Sequence, residues 1–169
     1  KEVSLKIGIT GIVPPQILNW DKALLEGKVL VNDAVESLNT LVPQMRAEGA
    51  DVVLVLSHSG IGDNVYEKGE ENVGYQIAGI PGVDAVVTGH SHAEFPSGDG
   101  SGFYEKYPGV DGVNGTINGT PVTMAGKYGD HLGVIDLNLS FTDGKWTVNK
   151  GTGSIRKIDT KSTETDSTI

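Results

Sequence analysis

Two short apolar runs, each delivering histidines at its end, constrain this chain more than any other feature. DVVLVLSHSG (51–60) carries an unbroken aliphatic run and then His58. GVDAVVTGHSH (82–92) repeats the arrangement, with His90 and His92 after the run at 83–87. Runs that are apolar almost throughout suit short strands covered on both faces. Three of the chain's 4 histidines therefore lie just past the carboxyl ends of two expected strands. If those strands are parallel neighbours, the three share one edge of a sheet, where open α/β sheets hold their ligands.

The residues between the runs support that arrangement. The spacing predicts a helix over 66–80, ordered from about Glu70, burying Val73, Ile77 and Ala78 and closed by Pro81-Gly82. Strand, helix, strand is a βαβ unit, and such units cross over right-handed. It would bring His58 together with the His90/His92 pair. Gly89 supplies the freedom for a sharp bend after the second strand.

Upstream, Val3, Leu5, Ile7 and Ile9 alternate with Ser4, Lys6, Gly8 and Thr10, a strand pattern with the odd residues on the buried face, ended by Pro14-Pro15. A short helical turn over 17–28 would carry Trp20 onto the core and stop at Gly27. Asp33 followed by Glu36 is a capping-box pattern. Ala34, Val35, Leu38, Leu41, Val42 and Met45 then recur at helical spacing, with Pro43 expected to kink or break the helix and Gly49 to cap it.

Downstream, residues 93–120 are rich in Gly, Ser, Asp and Asn and read as a long surface loop. Asn118-Gly119 and Asp143-Gly144 are two-residue hairpin signals. The second sits between alternating runs, so that Phe141 should face Trp146 and Leu139 should face Val148. A last strand is expected over 154–158. DTKSTETDSTI (159–169) is polar and core-poor and reads as a tail or linker. The expected organisation is one α/β (α+β) domain over 1–158, βαβ units followed by antiparallel hairpins, then the tail at 159–169.

Charge narrows the function classes. Thirteen basic against 22 acidic residues give a net −9, which argues against a surface for nucleic acid polymers. An acidic protein can still act on phosphate esters if metal ions supply the positive charge locally. With no cysteine, any metal must be held by imidazole, carboxylate, amide or water. No apolar stretch approaches the length of a membrane span. The chain begins at Lys1 rather than Met, which suggests a processed or truncated product.

One histidine is usually a hydrogen-bonded surface or core residue. Three at matching strand ends favour metal coordination, since neutral imidazole is the commonest protein metal ligand. His131, at the start of the alternating run 131–141, reads more readily as a structural hydrogen-bonding residue or pocket wall. The carboxylates Asp63, Glu67, Glu70 and Glu71 suit a solvated helix start, with Asp63 or Asn64 also able to face the pocket. Trp20 and Trp146 read as core residues.

LSHSG (56–60) followed by TGHSH (88–92) resembles the last two motif blocks of the calcineurin-like metallophosphoesterases. IPGVDAVVTGHSHAEFP (80–96), NGTPVTMAGKYGDHLGVIDLNL (118–139), GKW (144–146) and GIVPPQILNWDKALLEGKV (11–29) are similar to one branch. That branch is the bifunctional 2′,3′-cyclic-nucleotide 2′-phosphodiesterase/3′-nucleotidases, within the 5′-nucleotidase family. The resemblance implies part of a four-layer αββα sandwich with two divalent metals (Mn, Zn, Fe, Co or Mg) between its sheets. By motif position, His58 and His90 would ligate one metal and His92 the other. The metals would activate water for in-line attack on a nucleotide phosphoester.

The same resemblance implies what is lacking. The family's Asp-x-His, Gly-Asp and Gly-Asn-His blocks do not precede the histidines, so the catalytic histidine is expected outside this sequence. The chain reads as the C-terminal half of the catalytic domain, inactive alone, with an apolar sheet face completed by a missing N-terminal half or by self-association. A 5′-nucleotidase or nucleotide-sugar hydrolase fragment, or an inert folded fragment, is the alternative. A periplasmic, cell-wall or secreted location follows from resemblance alone.

Overall fold

A computed structural model describes residues 3–158; the expected tail at 159–169 lies outside them. Strand β1 (Ile7–Ile12) runs parallel to β2 (Val52–Ser57), and β2 runs parallel to β3 (Ala85–Thr88). Strand β7 (Thr120–Ala125) continues the sheet parallel to β3. The short strands β6 (Thr116–Ile117) and β5 (Val110–Asp111) extend it antiparallel, and β4 (Glu94–Phe95) pairs with β7 off this path. The two histidine-bearing runs are therefore parallel neighbours, as their sequences imply.

One face of this sheet is sealed by helices. Helix α3 (Ala34–Ala47) buries Ala34, Val35, Leu38 and Val42. Its Asp33 cap accepts a hydrogen bond from Glu36 N–H at 2.9 Å. The reciprocal half of the expected box is absent, because the Glu36 carboxylate reaches Lys68 Nζ instead, at 2.7 Å. Pro43 lies inside α3 without ending it. Beneath the helices, Val53, Val55, Val86, Val122 and Met124 have no exposed surface. The shorter helices α1 (Ile17–Trp20) and α2 (Lys22–Leu25) follow β1.

The other face is open. Ile7 and Ile9, expected on the buried face of the first strand, are 55% and 58% exposed. Their register with Val52 and Leu54 puts them opposite the helices, and no layer covers β1 there among the described residues. Leu56 and Val87 on the same face are exposed too. The long hairpin β8 (His131–Thr142) and β9 (Lys145–Lys157) covers the β7 side of this face, and Val52 and Ala85 on the same face are also buried. In the hairpin Phe141 pairs with Trp146 and Leu139 with Val148. Residues 154–157 are the far end of β9 rather than a separate strand. The hairpin comes so close to β7 that a Cβ at Gly153 would lie 2.3 Å from the Val122 carbonyl, so only glycine fits. A largely apolar cavity of about 320 Å³ separates it from Val52, Leu54, Ala85 and Val87.

Two further expectations change. The second helix shrinks to α4 (Gly74–Ala78), which still buries Ile77 and Ala78. Residues 61–73 are loop, with Gly62 and Gly69 at φ +74° and +83°, outside helical space. The segment 93–120 is more ordered than its composition suggests. It buries Phe95 and Tyr104 in the core and forms a 3₁₀ turn at Phe103–Lys106. Asn118-Gly119, at φ 52° and 84°, turns β6 into β7.

Candidate metal centre

The carboxyl ends of β2 and β3 carry the site. His58 follows β2, and its N–H donates to the Ile12 carbonyl at the end of β1 at 3.0 Å. His90 follows β3 by two residues. The imidazoles of His58 and His90 lie with ring centroids 5.2 Å apart, tilted by 53°. The bend expected at Gly89 falls on the histidines themselves: His90 and His92 have φ 64° and 57°. Non-glycine residues rarely adopt this left-handed conformation, so the turn is held by its surroundings.

Those surroundings include two residues whose sequence context pointed elsewhere. Glu71 Oε1 lies 2.6 Å from His90 Nε2. Trp20 is not core: it is 49% exposed and stacks on His90 at 5.2 Å, with 27° between the planes. The spacing of acidic residues after His58 gave no reason to separate Glu71 from its neighbours, and nothing local links Trp20 to His90. Asp63 lines a cavity of about 410 Å³ beside the site, together with Glu70, Glu71, Asn72, Ser91 and Tyr104. Burial there, with Asp63 and Glu67 nearby, pushes the Glu70 carboxyl above its ordinary range.

The ring neighbour found for His92 is a tyrosine rather than a histidine. The His92 ring lies 6.0 Å from that of Tyr128, in the turn between β7 and β8. Among the described residues, the trio whose ligating atoms all fall within 4.8 Å of one another is Glu94, Asp130 and His131. His131 Nδ1 is buried, 3.2 Å from Asp130 Oδ1 and 3.7 Å from Glu94 Oε1, with no aligned hydrogen bond. Burial raises the Asp130 pKa, but the adjacent imidazole and the Lys127 N–H outweigh it and hold the carboxyl below its usual range.

The donor set at His58 and His90 fits a borderline divalent cation. Each imidazole offers one lone pair when neutral, and the carboxylate on His90 leaves the opposite ring nitrogen as the donor. No thiolate competes, since the chain has no cysteine.

Residues 3–94 match the family model described as calcineurin-like phosphoesterase. Over 155 residues the chain is 48% identical to a 2′,3′-cyclic-nucleotide 2′-phosphodiesterase/3′-nucleotidase of Salmonella typhimurium, covering 92% of this chain and 23% of that protein. It is 45% identical to the trifunctional nucleotide phosphoesterase protein YfkN of Bacillus subtilis, covering 99% of this chain and 11% of the relative. The crystal structure of YfkN aligns with a TM-score of 0.85 over 93% of this chain and 46% of the crystallised one. The chain thus spans about a quarter or less of the length of these relatives.

Proposed function

The chain belongs to the calcineurin-like phosphoesterase family, and on that footing we propose that it contributes metal-ligating histidines to the hydrolysis of nucleotide phosphoesters. The substrates are 2′,3′-cyclic nucleotides and 3′-nucleotides, the classes named for the relatives at 42–48% identity. The observation that carries the reading is the pairing of His58 and His90 at the ends of adjacent parallel strands. In this reading they share one divalent metal, and His92 serves a second.

When bound, the metals supply positive charge and an activated water for attack at phosphorus. The residues of this chain do the holding. The β2 and β3 ends fix the spacing of His58 and His90, and Trp20 limits the swing of the His90 ring. Three imidazoles do not complete a dinuclear site, and no Asp-x-His or Gly-Asn-His block occurs in the sequence. The remaining ligands and the group that assists the leaving oxygen therefore come from outside these residues, from more of the same domain or from a second copy. The open face bearing Ile7, Ile9, Leu56 and Val87 is where a completing layer would lie. No helix among the described residues is long and apolar enough to cross a membrane. A periplasmic, cell-wall or secreted location is proposed on resemblance alone.

The test is hydrolysis of 2′,3′-cyclic AMP, 3′-AMP and 5′-AMP in Mn²⁺ or Co²⁺, by this chain alone and with a segment carrying the earlier motif blocks. Turnover of the first two substrates only after complementation is expected, abolished by His58→Ala. Activity of the chain alone would overturn the incomplete site. None after complementation would overturn the phosphoesterase reading.

A further inference from the structure

We infer that Glu71 is a positioning residue for His90, setting which ring nitrogen faces a metal. The inference rests on the metal reading of the site given above. An ionised carboxylate can only accept hydrogen bonds, so at 2.6 Å the His90 Nε2 must be the donor. A neutral imidazole carries one N–H and one lone pair. Glu71 therefore fixes the Nε2–H tautomer and leaves Nδ1 as the ligating atom. Carboxylates behind metal-bound histidines elsewhere do the same, and their loss weakens metal binding by roughly 10- to 100-fold.

Glu71 can act this way because its backbone is bolted to the other histidine loop. Ser59, next to His58, donates from Oγ to the Glu71 carbonyl at 2.9 Å and accepts from Val73 N–H at 2.9 Å. Gly60 N–H donates to Asn72 Oδ1 at 2.9 Å. A Cβ at Gly60 would lie 2.5 Å from Asn72 Oδ1 and 2.8 Å from Ser91 Oγ, so the three segments meet there without slack. Residues 71–73 thus brace the loop after β2 through their backbone and Asn72, while the Glu71 side chain holds the ring after β3. Trp20 closes the remaining side of that ring. One short segment sets the relation between both histidines, which suits the left-handed backbone at His90.

The experiment compares wild type, Glu71→Ala and Glu71→Gln. Long-range ¹⁵N–¹H NMR of the metal-free protein at mildly alkaline pH reads the His90 tautomer. Competition with a chromogenic chelator reads Zn²⁺ and Mn²⁺ affinity. The expected result is an Nε2–H tautomer in wild type and Glu71→Gln, whose amide oxygen still accepts. Glu71→Ala should give a tautomer mixture and affinity lower by roughly 10- to 100-fold. Glu71→Ala with an unchanged tautomer, or with a changed tautomer and affinity within two-fold of wild type, would overturn the inference. A wild type that takes up no metal even with the segment carrying the earlier motif blocks, while Glu71→Ala still shifts the tautomer, would overturn the metal reading of the site and leave the positioning of His90 supported.

Discussion

Removing the carboxylate of Asp33 tests how much of the loop before the site is held from α3. The residue is only 8% exposed and accepts three hydrogen bonds. Oδ1 takes Glu36 N–H and Tyr66 O–H, each at 2.9 Å, and Oδ2 takes Gly69 N–H at 2.8 Å. The first caps the helix; the other two fasten residues 66–69, whose Gly69 carbonyl in turn receives Gln16 Nε2 from the segment leading to Trp20. Loss of an N-cap costs about 1 kcal/mol, and each of two part-buried donors left unpaired costs about 1 kcal/mol. Asp33→Ala should therefore destabilise by about 3 kcal/mol in urea unfolding at pH 7. Asp33→Asn should cost less, because its oxygen can still cap the helix while its NH₂ faces the Gly69 N–H. The pH dependence has a definite sign. Burial raises the Asp33 pKa, but the hydrogen bonds from Glu36, Gly69 and Tyr66 outweigh it and hold the folded value below the ordinary one. The unfolded chain thus takes up the proton first, near pH 4. The stabilisation is complete above that pH and is lost as pH falls through the folded value. The gap between wild type and Asp33→Asn should be constant above about pH 5 and narrow below about pH 4. A cost of Asp33→Ala under about 1 kcal/mol, or a gap that does not narrow by about pH 3, would refute this account.

Two other substitutions probe the open face and the brace. Ile9→Thr keeps β-branching on a residue that is 58% exposed, so it should shift stability by less than about 0.5 kcal/mol in urea melts. A loss of about 1.5–3 kcal/mol in a protein shown to be monomeric would mean the face is covered. Gly62→Ala places a Cβ 2.1 Å from the Asn72 carbonyl oxygen at φ +74°. It should cost at least about 2 kcal/mol and disturb the His90 tautomer by displacing residues 71–73; an unchanged melt would show that the brace yields freely.

Much of the fold was legible because its signals are local. The apolar runs at 52–56 and 83–87 became adjacent parallel strands, the second beginning at Ala85. Asn118-Gly119 and Asp143-Gly144 have the positive φ values that tight hairpins require. Asp33 caps α3 three residues before the N–H it accepts. The failures share a different cause. The expected helix at 66–80 rested on Val73, Ile77 and Ala78, but residues 71–73 bond to Ser59 and Gly60 instead of continuing a helix back to Tyr66. The odd residues of β1 alternate correctly, yet alternation says only that two faces differ, not which is covered. Here the helices took the face of Gly8, Thr10 and Ile12, and left Ile7 and Ile9 outside.

The site divides along the same line. Histidines at strand ends can be read from the chain because strand direction and residue type suffice to place them. Their orientation cannot, because it is set by partners far away in sequence. Glu71 lies 19 residues from His90 in a segment whose acidic neighbours look alike. Trp20, which reads as core, has an apolar ring available for stacking only because β1 ends beside β2 and turns the chain over the site. His92 differs from His90 by two positions and has almost the same backbone angle, yet it rests on Tyr128 rather than on His58. The separation follows from what braces each ring. His90 is enclosed by Glu71 and Trp20, whereas His92 is exposed beside the turn that joins β7 to β8. If the two rings serve different metals, the first ligand arrives oriented by this chain alone. The second depends on whatever completes the site, so loss of the completing segment should release the His92 metal before the His90 metal.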